Sequence, residues 1–69
     1  MNNEIKHHRE QLGLSASALG LLLGWSQQRV SAYEVGARTP GLIECRLIVA
    51  ALNKKKGRGR LSLADVFPE

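Results

Sequence analysis

The chain has 69 residues, a formal charge of +4 and a single cysteine. This length holds one domain, 1–69, whose small core buries only about 60% of the unfolded surface. One cysteine excludes an internal disulfide and fits a reducing cytoplasm, and no apolar run approaches the roughly 20 residues of a membrane span. Met1-Asn2-Asn3-Glu4 lacks the basic and apolar regions of a signal peptide, so a cytoplasmic protein with no membrane partner is expected. The positive excess favours a polyanionic partner without naming it.

Taken in order, residues Glu4 to Leu12 form helix 1, with Asn2 or Asn3 as its cap. Ile5, His8 or Arg9, and Leu12 share one stripe, and Gly13 ends the element. Ser15 caps helix 2, which runs from Ala16 to Leu23, with Leu14 and Leu19 at hydrophobic-staple positions. Gly24 closes it. Gly20 in its middle costs about 1 kcal/mol relative to Ala, and a glycine there usually marks a close helix–helix approach.

Helix 3 begins after Ser26, a good cap flanked by Trp25 and Val30 at staple positions, and Gly36 ends it. At about 100° per residue, Val30, Tyr33 and Glu34 fall on one side. Gln28, Ser31, Ala32 and Val35 fall on the other. That second face carries amides, a hydroxyl and small apolar groups but no carboxylate. An amide in the first helical turn suits adenine, whose N6 and N7 offer a donor and an acceptor to a bidentate Gln. A merely solvated face is the competing reading.

Thr39 and Pro40 have the form of an N-cap and first position, so helix 4 is expected from about Pro40 to Leu52. Leu42, Cys45, Ile48, Val49 and Leu52 form its main apolar stripe; Ile43, Leu47 and Ala50 form a second. An element apolar on two faces should be covered on two faces. Residues 53–60 read as a mobile basic linker holding Lys54, Lys55, Lys56, Arg58 and Arg60, half of the ten basic residues. A short helix 5 over 61–67 follows, with Ser62 and Asp65 placed for a capping-box variant. The pattern is all-α: five helices, a core over residues 4–52, and no strand signals.

From Arg9 to Leu52 the chain resembles the helix-turn-helix domain of the phage repressor and Cro family, often called the XRE family. The resemblance rests on Arg9-Glu10-Gln11-Leu12-Gly13-Leu14-Ser15, Leu19-Gly20, Leu23-Gly24-Trp25-Ser26, Val30-Ser31-Ala32-Tyr33-Glu34-Val35-Gly36, Arg38, Pro40, Leu42, Ile48 and Ala51-Leu52. It covers about two-thirds of the chain and joins many separated positions, which makes it far more specific than a lone motif. It implies a lambda-repressor-like domain with the helix-turn-helix at helices 2 and 3.

The same resemblance assigns roles. Gln27, Gln28, Ser31 and Ala32 match positions that read base edges in the major groove. Arg29 and Arg38 match positions near phosphates. Arg9 and Glu34 match an internal salt bridge, with Arg9 also facing the DNA backbone. Ala16 stands where the family often has a phosphate-bonding Gln, so that contact would move to Ser15 or Ser17. Cys45 occupies a usual leucine position and should be a small buried hydrophobe. Leu21 and Leu22 replace residues that are commonly polar.

No chemistry-bearing constellation competes with this reading. His7 and His8 are adjacent, so on a helix they point about 100° apart and cannot easily share a metal. No Ser/His/Asp arrangement, paired carboxylates or phosphate loop is present, so neither enzyme activity nor a cofactor is expected. The expected function is sequence-specific recognition of double-stranded DNA by a transcriptional regulator, a repressor acting as a homodimer. Lys54, Lys55 and Lys56 would meet phosphates or remain a solvated loop. Ile43, Leu47, Leu61, Leu63 and Phe67 would form the dimer interface, unless they pack on one another within one chain. The competing class is a protein-interaction module, such as the antitoxin partner of a toxin.

Overall fold

A computed structural model of the chain describes residues 3–68. Five helices follow in order: α1 (Ile5–Gln11), α2 (Ala16–Leu23), α3 (Gln27–Glu34), α4 (Leu42–Lys56) and α5 (Leu63–Val66). No strand occurs among the described residues, and none of the helices is long and apolar enough to cross a membrane.

Three caps form as their sequences dictate. Ser15 accepts from the Ala18 N–H and Ser26 from the Arg29 N–H, satisfying first-turn donors that would otherwise be orphaned. In α5 the Ser62 hydroxyl accepts from the Asp65 N–H, and the Asp65 carboxylate accepts from the Ser62 N–H. Those donated hydrogen bonds hold the Asp65 carboxyl below the usual carboxylate range. At α1 the expected asparagine cap takes a different form. Asn3 Oδ1 accepts from the Ile5 N–H at 3.2 Å while its amide donates to the Tyr33 carbonyl at 2.8 Å, tying the chain start to the end of α3. Asn2, the other candidate, lies outside the described residues.

Helix 4 departs from its expected bounds at both ends. It starts at Leu42 behind Gly41, two residues later than Thr39-Pro40 suggested. Glu44 folds back over Gly41, and a carboxylate in a first turn is favoured by the helix dipole. At the other end the helix continues through Lys56 instead of stopping at Leu52. Lysine is a good helix former and its charge is favoured in a last turn. Asn53 lies inside this extension. Its side chain donates to the Leu61 carbonyl at 3.0 Å and accepts from the Leu61 N–H at 2.7 Å, closing the loop over residues 57–60. The expected mobile linker is therefore a helical end followed by a clamped loop.

The core joins Ile5, Leu19, Val30, Tyr33, Ile48, Ala51, Leu52, Val66 and Phe67. Each helix contributes the stripe its periodicity marks, with one exception: Leu42 is 58% exposed and does not belong to the inner stripe of α4. Leu61 and Leu63 pack partly buried against this core, and Phe67 is only 8% exposed. The C-terminal segment thus packs within its own chain, a small core taking every apolar group it can. Phe67 is not an exposed interface residue. A 2.7 Å hydrogen bond from the Glu4 N–H to the Val66 carbonyl fastens the start of α1 to α5.

The second stripe of α4 stays open. Ile43 is 72% and Leu47 47% exposed on α4, and Leu21 is 82% and Leu22 44% exposed on α2. Between α2 and α4 runs a groove of about 220 Å³ lined by Leu22, Leu23, Leu47, Ala50, Ala51 and Lys54. The prediction that both faces of α4 are covered fails within one chain.

Candidate nucleic-acid interface

The element that positions α3 is the turn between α2 and α3. Gly24 adopts φ +74°, a left-handed conformation that glycine takes without steric cost. The chain can then reverse so that the Trp25 N–H reaches the Gly20 carbonyl at 2.8 Å. A Cβ on Gly20 would stand 2.6 Å from the Trp25 carbonyl oxygen. The close approach at Gly20 is therefore against the backbone of the turn, and not against the body of the following helix. Val30, 2% exposed, fills the angle between α2 and α3.

Two ionic arrangements then fix α3 against its neighbours. Arg9 Nε donates to Glu34 Oε2 at 2.7 Å and Nη2 to Glu34 Oε1 at 3.0 Å, while Nη1 donates to the Leu14 carbonyl at 2.9 Å. The bidentate pair ties the end of α3 to α1 and to the approach to α2. Bonding to Glu34 raises the Arg9 pKa further above its ordinary value. Arg9 is 8% exposed, with its donors turned inward. The salt bridge is present as expected, and Nε, Nη1 and Nη2 of Arg9 are each engaged within the chain.

Arg29 forms the second arrangement. Its guanidinium carbon lies 4.0 Å from the centroid of the Trp25 ring, and its Nε donates to the Tyr33 hydroxyl at 3.3 Å. Its Nη2 is 4.0 Å from Glu44 Oε2, at the start of α4. Trp25 and Tyr33 pack edge to face, with 5.6 Å between ring centroids. Trp25 is thus both a partly buried core residue and the ring on which Arg29 rests. Part of the signal was present in the sequence, since Arg29 and Tyr33 stand four residues apart on one face of α3, with Trp25 in the turn just before its cap. Held this way, Arg29 keeps about a third of its side chain exposed.

With Glu34 turned to Arg9, no carboxylate of α3 faces outward. Gln27 and Gln28 are exposed on the first turn, and Ser31 and Ala32 are half-buried one turn on. Arg38 is exposed beside this surface, its guanidinium carbon 5.6 Å from the Tyr33 ring centroid and its backbone N–H bonded to the Ala32 carbonyl. Ser15 and Ser17 are exposed at the start of α2, with the Ser15 hydroxyl already engaged as a cap.

Lys54, Lys55 and Lys56 do not join this group. The Arg29–Glu44 contact fixes the first turn of α4 near the first turn of α3. The lysines stand ten to twelve residues further along α4, about 15–18 Å at 1.5 Å per residue.

Cys45 is half-buried, its Sγ 3.8 Å from the Pro40 carbonyl, and burial pushes its thiol pKa up. Such a thiol is protonated at neutral pH and is a poor nucleophile. His8 Nε2 lies 3.2 Å from the Asp65 carbonyl. The described residues contain no cluster of three or more His, Cys, Asp or Glu side chains suited to a metal ion.

A capped helix, reached through a glycine turn and presenting amides without acids, is an arrangement that can enter a DNA groove. The helix-turn-helix family matches residues 5–58 of the chain. The chain belongs to the XRE-type helix-turn-helix family. The helix-turn-helix itself is α2, the Gly24–Ser26 turn and α3, and the family is one of DNA-binding transcription regulators. An uncharacterised HTH-type transcriptional regulator of Methanothermobacter thermautotrophicus is similar, at 34% identity over 67 residues, 97% of this chain and 88% of that one. No solved structure matches the chain significantly. The family match runs through α1 to α4 and ends just beyond Gly57, so α5 and its capping box lie outside it.

Proposed function

We propose that this chain is a sequence-specific operator-binding protein that acts as a repressor, inserting the first turn of α3 into the major groove as one half of a homodimer. The observation that carries the reading is Gln28, exposed in the first turn of a capped helix whose single carboxylate is bonded inward to Arg9. Gln27, Ser31 and Ala32 complete the base-reading face. Arg29, Arg38 and the serines of the α2 start flank it as phosphate contacts, where charge and backbone N–H groups hold register without reading sequence. Repression follows from occupancy: a bound dimer blocks access to the promoter, and no chemistry is required of the chain.

The test is enrichment of an operator from a pool of random duplexes, followed by binding of the Gln28→Ala protein. Loss of a bidentate base contact should cost about 1–3 kcal/mol on the enriched operator and leave random DNA bound almost as before. Equal losses on both DNAs would show that Gln28 reads nothing.

Dimerisation is supported by the need to choose one operator among roughly 10⁶–10⁹ competing sites, for which a single helix reads too few bases. A twofold axis would set two α3 helices about 34 Å apart, in successive major grooves on one side of the duplex. Because Phe67, Leu61 and Leu63 pack in their own chain, the proposed interface is Ile43 and Leu47 of α4 with Leu21 and Leu22 of α2. An exposed apolar patch of this kind is uncommon on a monomer. Leu47→Lys should give a folded protein of monomeric mass whose operator affinity falls by about 100-fold or more, as the second half-site no longer binds in tandem. Unchanged mass and affinity would remove this interface and leave the groove to a different protein, such as a toxin.

A further inference from the structure

We propose that the basic end of α4 and the clamped loop after it hold the phosphates of a second DNA duplex, separate from the duplex met by α3. The inference rests on the reading of α3 as the operator-binding element and goes beyond it. Its starting point is where the charge lies. Residues 54–60 hold five of the ten basic residues and no acid, whereas the rest of the chain holds five basic residues and six acidic ones. Of the basic residues outside this segment, Arg9 is paired with Glu34 and Arg29 faces Glu44. The entire positive excess of the protein therefore sits at one end of α4.

Position separates that end from the helix-turn-helix. The lysines stand about 15–18 Å along α4 from the contact with α3. A major groove is only about 12 Å wide, so phosphates bordering the groove that holds α3 lie closer to Arg29 and Arg38 than to these lysines. The segment is also built, not loose. Lys54, Lys55 and Lys56 occupy the last helical turn, and the paired Asn53–Leu61 hydrogen bonds close the loop that carries Arg58 and Arg60. Gly57 and Gly59 take φ of +74° and +63° inside that loop, turning the chain back towards Asn53.

The chemistry favours a duplex over other polyanions. No aromatic residue in 54–60 could stack an unpaired RNA base, and no apolar side chain there could enter a lipid surface. What remains is a row of cations suited to a regular phosphate backbone. A protein with two such surfaces joins two DNA segments, either distant parts of one molecule or a site from which it transfers to the operator.

The test uses the full chain with two 30-base-pair duplexes of random sequence, one immobilised and one fluorescent in solution, at low salt. The wild-type protein should retain the fluorescent duplex on the surface. The Lys55→Gln/Lys56→Gln protein, which spares Lys54 at the α2–α4 groove, should still bind a single duplex through α3 yet lose at least tenfold of the bridged signal, with helical content unchanged by circular dichroism. Its bridging should also show a shallower salt dependence, about 0.9 lost from the log–log slope per phosphate contact removed. Bridging that survives the lysine substitutions overturns the proposal. So does a parallel loss of single-duplex binding and bridging, which would place all the cations on one duplex. An Arg38→Gln protein, changed at an α3-side phosphate contact that random DNA also meets, separates the two readings. Bridging lost in the lysine variant but unaffected by Arg38→Gln leaves the basic end as a DNA-holding surface and overturns the α3 reading.

Discussion

Glu34→Gln should cost about 3–5 kcal/mol of folding stability, read as a lower urea midpoint with an unchanged slope. The substitution keeps the shape of the side chain and removes its charge. Arg9 would then be left at 8% residue exposure with only the weaker influence of Glu10 as counter-charge. An uncompensated buried charge is costly because neither solvent nor protein satisfies it. The two side chains are only 10% and 7% exposed, so solvent screens the pair less than it would an ion pair on the surface. The companion double variant Arg9→Met/Glu34→Leu should recover most of the loss, since an apolar pair of similar volume needs no partner charges. It leaves the Leu14 carbonyl without its Arg9 donor, so recovery should stop short of the wild type. If the single variant costs less than about 1 kcal/mol, the pair behaves as an exposed ion pair would, and the burial of Arg9 is wrong.

That pair also shows what the sequence could and could not convey. Arg9 and Glu34 are 25 residues apart, and only their place beside Ile5 and Val30 on inward stripes marks them as partners. The bounds of α2 and the Ser15, Ser26 and Ser62 caps were legible because each depends on a few neighbouring residues obeying local rules. The limits of α4 were not. Thr39-Pro40 and the apolar-to-basic change after Leu52 looked like boundaries, but with Glu44 folded over Gly41 the helix starts two residues later, and with Asn53 bonded to Leu61 it ends four residues further on. Neither contact follows from periodicity. The same limit applies to Phe67, whose burial depends on how α5 returns across α1 and α4. In the candidate site, the exposure of Gln27 and Gln28 could be read from helical phase alone. The inward commitment of Arg9 could not, because a long arginine can reach either a carboxylate or a phosphate from one Cα position.

Gly20→Ala should destabilise the protein by about 2 kcal/mol, although helix propensity alone predicts the opposite sign. In an open α-helix the change would add roughly 1 kcal/mol of stability, because alanine gives up less backbone freedom on folding than glycine. Here the new Cβ would meet the Trp25 carbonyl oxygen at 2.6 Å, with Ser26 backbone atoms at 3.5 Å behind it. These are backbone atoms of the turn, so no side-chain rotation can make room. Relief requires the turn to move away from α2, and the Trp25 N–H is bonded to the carbonyl of the same glycine. The cost is that of overpacking a tight contact, at or above the upper end of about 1–3 kcal/mol, reduced by the gain in propensity. For a chain of this size it should lower Tm by at least about 10 °C. The displacement would also carry Trp25, the ring under Arg29, and with it the start of α3. DNA affinity should therefore fall even at temperatures where the variant is fully folded. A Gly20→Ala protein that melts higher than the wild type would show that the turn is soft, and that the approach of α2 to it does not set the angle of α3.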